Sequence, residues 1–222
     1  MSAHSTYLAS PAAGAPALPP GLARLLLAAR DEQEEHLSAP QADALDVRRS
    51  LDGDEAAFRR LVTRHQGRIA SMMWRFSRER DVHEELVQDV FVEAWRSLDG
   101  YRADAPFEHW LARIATRVGY RYWREKERDG RITRVPLEDH PGLAEPEALE
   151  PSEAGELLHR LLQELSPRDR LVLTLRYLED LSVKETAART GWSRSMVKVQ
   201  AYRARGKLEK LFQRAVREAD GG

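Results

Sequence analysis

LSVKETAARTGWSRSMVKVQAYRARGKL, residues 181 to 208, decides how the rest of the chain is read. Ser182, followed three residues on by Glu185, is a capping box: the Ser hydroxyl and the Glu carboxylate each take a backbone amide that a helix start leaves without a partner. Gly191, four residues past Ala187, ends that helix, because glycine adopts the left-handed C-cap without steric cost. Ser193 can then cap a second helix from Arg194. In this second helix Val197, Ala201, Ala204 and Leu208 fall at i, i+4, i+7 and i+11, one apolar stripe, while Lys198, Tyr202, Arg203 and Arg205 point elsewhere. Two capped helices, a glycine turn and a small residue where the helices cross are the layout of a helix-turn-helix, whose second helix enters the major groove of DNA. A solvated cationic helix closing a helical domain is the plainer alternative. The two caps, the turn and the alanine spacing together weigh against it.

The chain has 222 residues, 42% of them apolar, which is enough for one large core or two small ones. Its formal net charge of -1 hides segregation. Residues 184 to 217 hold ten Lys or Arg against two Glu, a net of +8, whereas residues 138 to 156 hold seven acids and no Lys or Arg. The basic end therefore says more about partners than the average does. The absence of cysteine excludes disulfides, thiol catalysis and Cys-ligated zinc. The histidines at 4, 36, 65, 83, 109, 140 and 159 form no i, i+4 pair, so no metal and no cofactor is expected. The apolar cluster from Leu22 to Ala29 is broken by Arg24 and follows no basic residue. It reads neither as a signal peptide nor as a membrane span, and a cytoplasmic protein without membrane insertion is expected.

Residues 1–42 read as an N-terminal extension, largely disordered, with four prolines in the first 20 residues and a short helical pattern over 21–37. From residue 43 the pattern is helical. Asp52 with Glu55 is expected to cap one helix, whose apolar face runs through Phe58, Leu61, Val62, Ile69, Met72, Met73 and Phe76. Asp81 with Glu84 is expected to open the next, with a buried stripe of Leu86, Val90, Phe91, Ala94, Trp95 and Leu98 and an acidic face of Glu84, Glu85, Gln88, Asp89 and Glu93. Gly100 and Pro106 then mark a loop, with Pro106 in the first turn of a helix that buries Phe107, Trp110, Leu111, Ile114, Ala115 and Val118. That helix turns basic and aromatic: residues 113 to 134 hold eight Lys or Arg against three acids, interleaved with Tyr120, Tyr122 and Trp123. Cations beside rings suit a binder of unpaired bases, and an aromatic-capped helix end accounts for them equally well.

Residues 135–155 carry four regularly spaced prolines among acids and read as an extended linker. A helix from about Glu156 to Leu165 follows, then Ser166-Pro167-Arg168-Asp169 opens another through Tyr177. The expected fold is all-α: two small helical domains, 43–134 and 156–217, joined by an acidic Pro-rich linker, the C-terminal domain containing the helix-turn-helix, with a tail at 218–222.

DEAAFRRLVTRH (54–65), ELVQDVFVEAWRSLDGYR (85–102), FEHWLARIA (107–115) and LSPRDRLVLTLRYLEDLSVKETAARTGWSRSMVK (165–198) occur in an order and at a spacing that resemble the extracytoplasmic-function (ECF) sigma factors of bacterial RNA polymerase. The resemblance covers roughly residues 43–212. It implies a promoter-melting, polymerase-binding region 2-like domain and a region 4-like domain that reads the upstream promoter element. It places Glu85, Leu86, Gln88, Asp89 and Phe91 on the helix that docks on the coiled coil of the polymerase's largest subunit. It assigns Tyr101 to the loop that traps a flipped base, with Arg113, Arg117, Tyr120, Arg121 and Arg124 on the helix lining its pocket, in contact with melted promoter DNA. Lys198, Val199, Tyr202 and Arg203 match the base-facing positions on duplex DNA; Arg194, Ser195, Arg205 and Lys207 flank them, and the three cations are expected to hold phosphates. An anti-sigma factor is an implied partner. Arg117 and Arg121 stand where the family commonly has Asn and Asp, Thr186 and Thr190 occupy usually aliphatic positions, and Val199 and Gln200 replace a common Ser-Arg pair. The promoter sequence is therefore not transferable.

Two other function classes are open to test. A stand-alone helix-turn-helix regulator would bind a palindrome as a dimer, and it leaves residues 54–124 without a role. A carboxylate-based hydrolase would need converging acids, but Glu84 and Glu85 are adjacent on a helix and diverge. No catalytic residue is expected.

Overall fold

The computed structural model describes residues 38–130 and 151–220, and every regular element among them is helical. The expectations for residues 1–37 and for the linker over 135–150 lie outside the described residues. Two compact units divide the chain, Met1–Leu45 and Asp46–Gly222. Of the first unit, residues 38–45 are described, where Ser38 opens helix α1 (Ala39–Leu51) by donating from its amide and its hydroxyl to Gln41 Oε1, at 3.0 and 2.9 Å.

The second unit continues with α2 (Glu55–Met73), α3 (Arg80–Arg96), a 3₁₀ turn (Leu98–Gly100), α4 (Phe107–Arg128), α5 (Pro151–Gln163), α6 (Pro167–Leu173), a wide π-type turn (Thr174–Leu178), α7 (Val183–Thr190) and α8 (Arg194–Asp220). Several starts differ from the sequence reading. Asp54, not Asp52, caps α2, accepting from the amides of Ala56 and Ala57 at 2.9 and 3.3 Å. Gly53, with φ 94°, turns the chain out of α1 and leaves Asp54 next to the new helix. Helix α3 starts at Arg80 with no side-chain cap, so Asp81 supplies negative charge to its first turn instead. Pro106 is the cap residue of α4 rather than a first-turn residue. Residues 151–155, assigned to an extended linker, open α5.

The N-terminal core is α2, α3 and α4 packed through Leu61, Ile69, Met73, Leu86, Val90, Phe91, Leu111, Ile114 and Val118. Trp95, expected in the buried stripe of α3, is 44% exposed and meets Phe58 edge-on at 4.8 Å. The close approach of α4 to the end of α2 depends on Gly119, where a Cβ would run into the Phe76 ring. One turn further on, Trp123 is buried with its ring 4.5 Å from Phe76 and its Nε1 donating to the Phe76 carbonyl at 2.9 Å.

In the C-terminal domain Leu162, Leu165, Val172 and Leu173 pack on Val197, Ala201 and Ala204, and Leu157 and Leu161 on Ala215. The two helical domains also share a core. Leu171 and Leu175 are buried in the N-terminal cluster, and Leu181 and Trp192 pack against it. Arg170 lays its guanidinium 4.6 Å above Trp123 while its Nε donates to the Leu162 carbonyl at 2.7 Å. Burial lowers this guanidinium to about 10. Glu179 adds a bridge, 2.9 Å from Arg75 and 3.5 Å from Arg189.

Candidate nucleic-acid interface

The helix-turn-helix forms as its local chemistry requires. Ser182 donates its amide to Glu185 Oε2 at 2.8 Å and accepts the Glu185 amide at 3.2 Å, Gly191 has φ 76°, and Ser193 Oγ accepts the Met196 amide at 3.2 Å. Thr186 and Thr190 fit their positions because their hydroxyls donate back to the carbonyls of Ser182 and Thr186, at 2.9 and 2.8 Å, leaving the methyl groups to pack.

On α8 the buried stripe of Val197, Ala201 and Ala204 leaves Arg194, Ser195, Lys198, Val199, Tyr202, Arg203 and Arg205 exposed. Tyr202 is 73% exposed and Val199 49%, so this face carries apolar surface beside its cations. Lys198 and Arg203 have no side-chain partner among the described residues. Lys207 differs from the phosphate contact expected of it: its Nζ donates to the buried carboxylate of Asp169 at 2.6 Å.

The downstream set is divided. Tyr101, Arg113 and Arg117 line one cleft of about 840 Å³, together with Trp110, Arg68 and Arg102. Tyr101 is fixed by its hydroxyl, which donates to the Ala105 carbonyl at 2.8 Å, and by ring contacts of 5.5 Å with Phe107 and Trp110. Arg102, Arg113 and Arg117 have no side-chain partner among the described residues, so the cleft is net positive even with Asp104 and Glu185 in its lining. Its far wall is Leu181, Glu185, Ala188 and Arg189 at α7. Burial lowers the Arg189 guanidinium, and the charges of Arg68 and Arg75 push the same way. Tyr120, Arg121 and Arg124 are not among the cleft's lining residues. Arg124 lies 6.0 Å from the Tyr120 ring, and Arg121 pairs with Glu93 at 3.0 Å and lies 4.0 Å from Asp89. Sequence reasoning does not find Arg68 and Arg189, because no local pattern brings residues so distant in the chain to one cavity, nor Arg102, although its place beside Tyr101 was a signal. Trp110 was assigned to the core alone, although its place three residues before Arg113 was a signal.

On α3 the structure separates the proposed docking residues. Leu86 and Phe91 are buried in the core and are unavailable to a partner. Glu85, Gln88 and Asp89 are exposed, and the same face carries exposed Val92, Trp95 and Arg96. A ridge of acids flanked by Val92 and Trp95 offers both charge and apolar area.

The comparisons with known proteins agree with this geometry. Residues 61–129 match Sigma-70 region 2 and residues 155–208 match Sigma-70, region 4. The ECF RNA polymerase sigma-E factor of Escherichia coli (strain K12) is 30% identical over 191 residues, covering 82% of this chain and all of that protein. This chain is an ECF sigma factor. The RNA polymerase sigma-H factor of Pseudomonas aeruginosa is likewise 30% identical over 183 residues, covering 78% of this chain and 95% of that one. Among solved structures, that of CnrH in complex with the cytosolic domain of CnrY matches with a TM-score of 0.52 and 28% identity over 78% of this chain and 97% of the other. As a sigma factor the protein is not an enzyme; it directs transcription initiation, with RNA polymerase and promoter DNA as partners. No helix among the described residues is long and apolar enough to cross a membrane.

Proposed function

We propose that this sigma factor divides promoter recognition between two surfaces. The bare face of α8 enters the major groove of the upstream element, with Lys198 and Arg203 donating to guanine edges, Val199 meeting a thymine methyl, and Arg194 and Arg205 on phosphates. The cleft beside α4 takes a base from the separated downstream strand, stacked near Tyr101 and Trp110 while Arg102, Arg113 and Arg117 neutralise its phosphates. Glu85, Gln88 and Asp89, with Val92, dock on the coiled coil of the polymerase's largest subunit, and the protein works in the cytoplasm with that enzyme. An anti-sigma factor is the matching regulator. The observation that carries the reading is the set of unpartnered arginines gathered with two aromatic rings in one cleft. Transcription starts mapped genome-wide with core polymerase and wild type, Arg203→Ala or Arg117→Ala test it. Arg203→Ala should lose starts according to upstream sequence and Arg117→Ala according to downstream sequence. Identical losses from both variants would refute the division.

A further inference from the structure

Asp169, the third residue of α6, has a carboxylate 1% exposed and three donors on it. The Ser166 hydroxyl gives 2.8 Å to Oδ2, the Gln200 amide 2.6 Å to Oδ1 and the Lys207 ammonium 2.6 Å to Oδ2. Burial alone would raise its pKa; the bonds from Lys207, Ser166 and Gln200 and the charge of Lys207 bring it below the ordinary value instead, so it is an anion at neutral pH. Gln200 and Lys207 are seven residues apart, about 10.5 Å along a helix axis. One anion on α6 thus grips α8 at two separate turns.

The grip matters because the apolar seat at the recognition end of α8 is small, the larger Leu208, Leu211 and Phe212 packing further along the helix. Val197, Ala201 and Ala204 are short side chains that bury well but leave little shape to resist rotation of the helix about its axis. Lys207 lies four residues from Arg203, about 40° around the helix. A modest roll would carry Lys207 toward the DNA-facing surface and turn Lys198 away from it. Resting on the reading of α8 as the duplex-reading helix, we propose that Asp169 is a specificity-determining positioning residue. By holding Gln200 and Lys207 it fixes the roll of α8 and withholds a long, sequence-blind cation from the phosphate backbone. Non-specific affinity comes from such cations, so sequestering one widens the gap between the correct site and all others.

The experiment uses the full chain as wild type, Asp169→Asn, Lys207→Ala and the double variant. Each is titrated with a pool of random 30-base-pair duplexes at several salt concentrations, and promoter sequences are selected from the pool with each chain assembled on core polymerase. Asp169→Asn keeps the shape and frees Lys207, so its salt slope should steepen by about 0.9, one further phosphate. The double variant should return to the wild-type slope. Selection by Asp169→Asn should yield a visibly less uniform upstream sequence, and Asp169→Glu, which keeps the charge, should restore part of the uniformity. A variant that merely unfolds binds less and shows a shallower slope, so an unchanged or shallower slope in Asp169→Asn overturns the proposal. A raised slope that survives removal of Lys207 overturns it too. Failure of wild type to select any upstream sequence would instead overturn the reading of α8 on which it rests.

Discussion

On α8, Lys198, Val199, Tyr202 and Arg203 stand in solvent with nothing across from them, whereas at α4 the cations Arg113 and Arg117 face a cleft whose opposite wall is α7. Both regions are basic, helical and aromatic, and composition alone would treat them alike. The difference lies in what packs nearby. Helix α8 uses one narrow stripe for its core, gives Gln200 and Lys207 to Asp169 and keeps its DNA-facing side free, while α4 is buried on the face that meets α2 and α3 and again where Trp123 takes the Arg170 guanidinium from α6. A strand entering the cleft therefore meets the C-terminal domain at α7, whereas Lys198 and Arg203 on α8 have no side-chain partner among the described residues. Upstream reading should depend on single side chains; downstream capture should depend also on the shared core.

The largest expected effect tests that shared core. Trp123→Ala removes the ring under Arg170, the bond to the Phe76 carbonyl and a fully buried aromatic, and should cost about 3–5 kcal/mol. If the domains unfold as one body, urea denaturation will show a single transition moved to lower concentration. Two transitions, with only the N-terminal one shifted, would mean that the cleft and the reading helix are independent after all. Next, Arg203→Ala should remove about 1–3 kcal/mol of discrimination at one or two upstream base pairs, read from a base-substitution series on an upstream duplex. Equal losses on every sequence would make Arg203 a phosphate contact and shift the register of α8.

A smaller effect is expected at the cleft. Replacing Arg113 and Arg117 together by Ala should lower the salt slope for single-stranded downstream DNA, measured in the polymerase complex, by about 1.4, at roughly 0.7 per contact. Upstream duplex binding should not change, and a parallel drop there would erase the contrast between the two surfaces. Smallest is the acid response of Asp169. Its folded pKa lies below the ordinary 3.8, so its stabilising contribution is complete above that value and is lost as pH falls from about 3.8 through the folded pKa. The stability gap between wild type and Asp169→Asn should hold from neutral pH to about pH 4 and close below it. A gap that persists in strong acid would show that the carboxylate's charge is not what holds α8.

Much of the fold was legible because its signals are local. The Ser182–Glu185 box, the left-handed Gly191 and the Val197, Ala201, Ala204 stripe are set within a turn or two, and the structure forms each as the spacing requires. Cap positions were less secure: Asp52 and Asp54 are both good caps, and the choice fell to where Gly53 turns the chain. The docking set was half legible, since periodicity finds the stripe of α3 but not its edges. Leu86 and Phe91 went inside, and Trp95, next to the stripe, stayed 44% exposed.

The sequence by itself determined an all-α chain, its helix-turn-helix and the side of α8 that is apolar, because a helix repeats every few residues and its caps are neighbours in the chain. Only the tertiary structure decided which cations are left to meet nucleic acid. Lys207 and Arg203 are exposed cations one turn apart, both expected to meet DNA, yet Lys207 is claimed by an acid 38 positions away. Arg170 could have been a surface charge, but it lies over Trp123, and Arg68 and Arg189 reach one cleft from α2 and α7. Whether a charge is free depends on which opposite charge or ring the packing brings within a few ångströms, and Coulomb and cation–π attraction at that range bear no relation to separation along the chain.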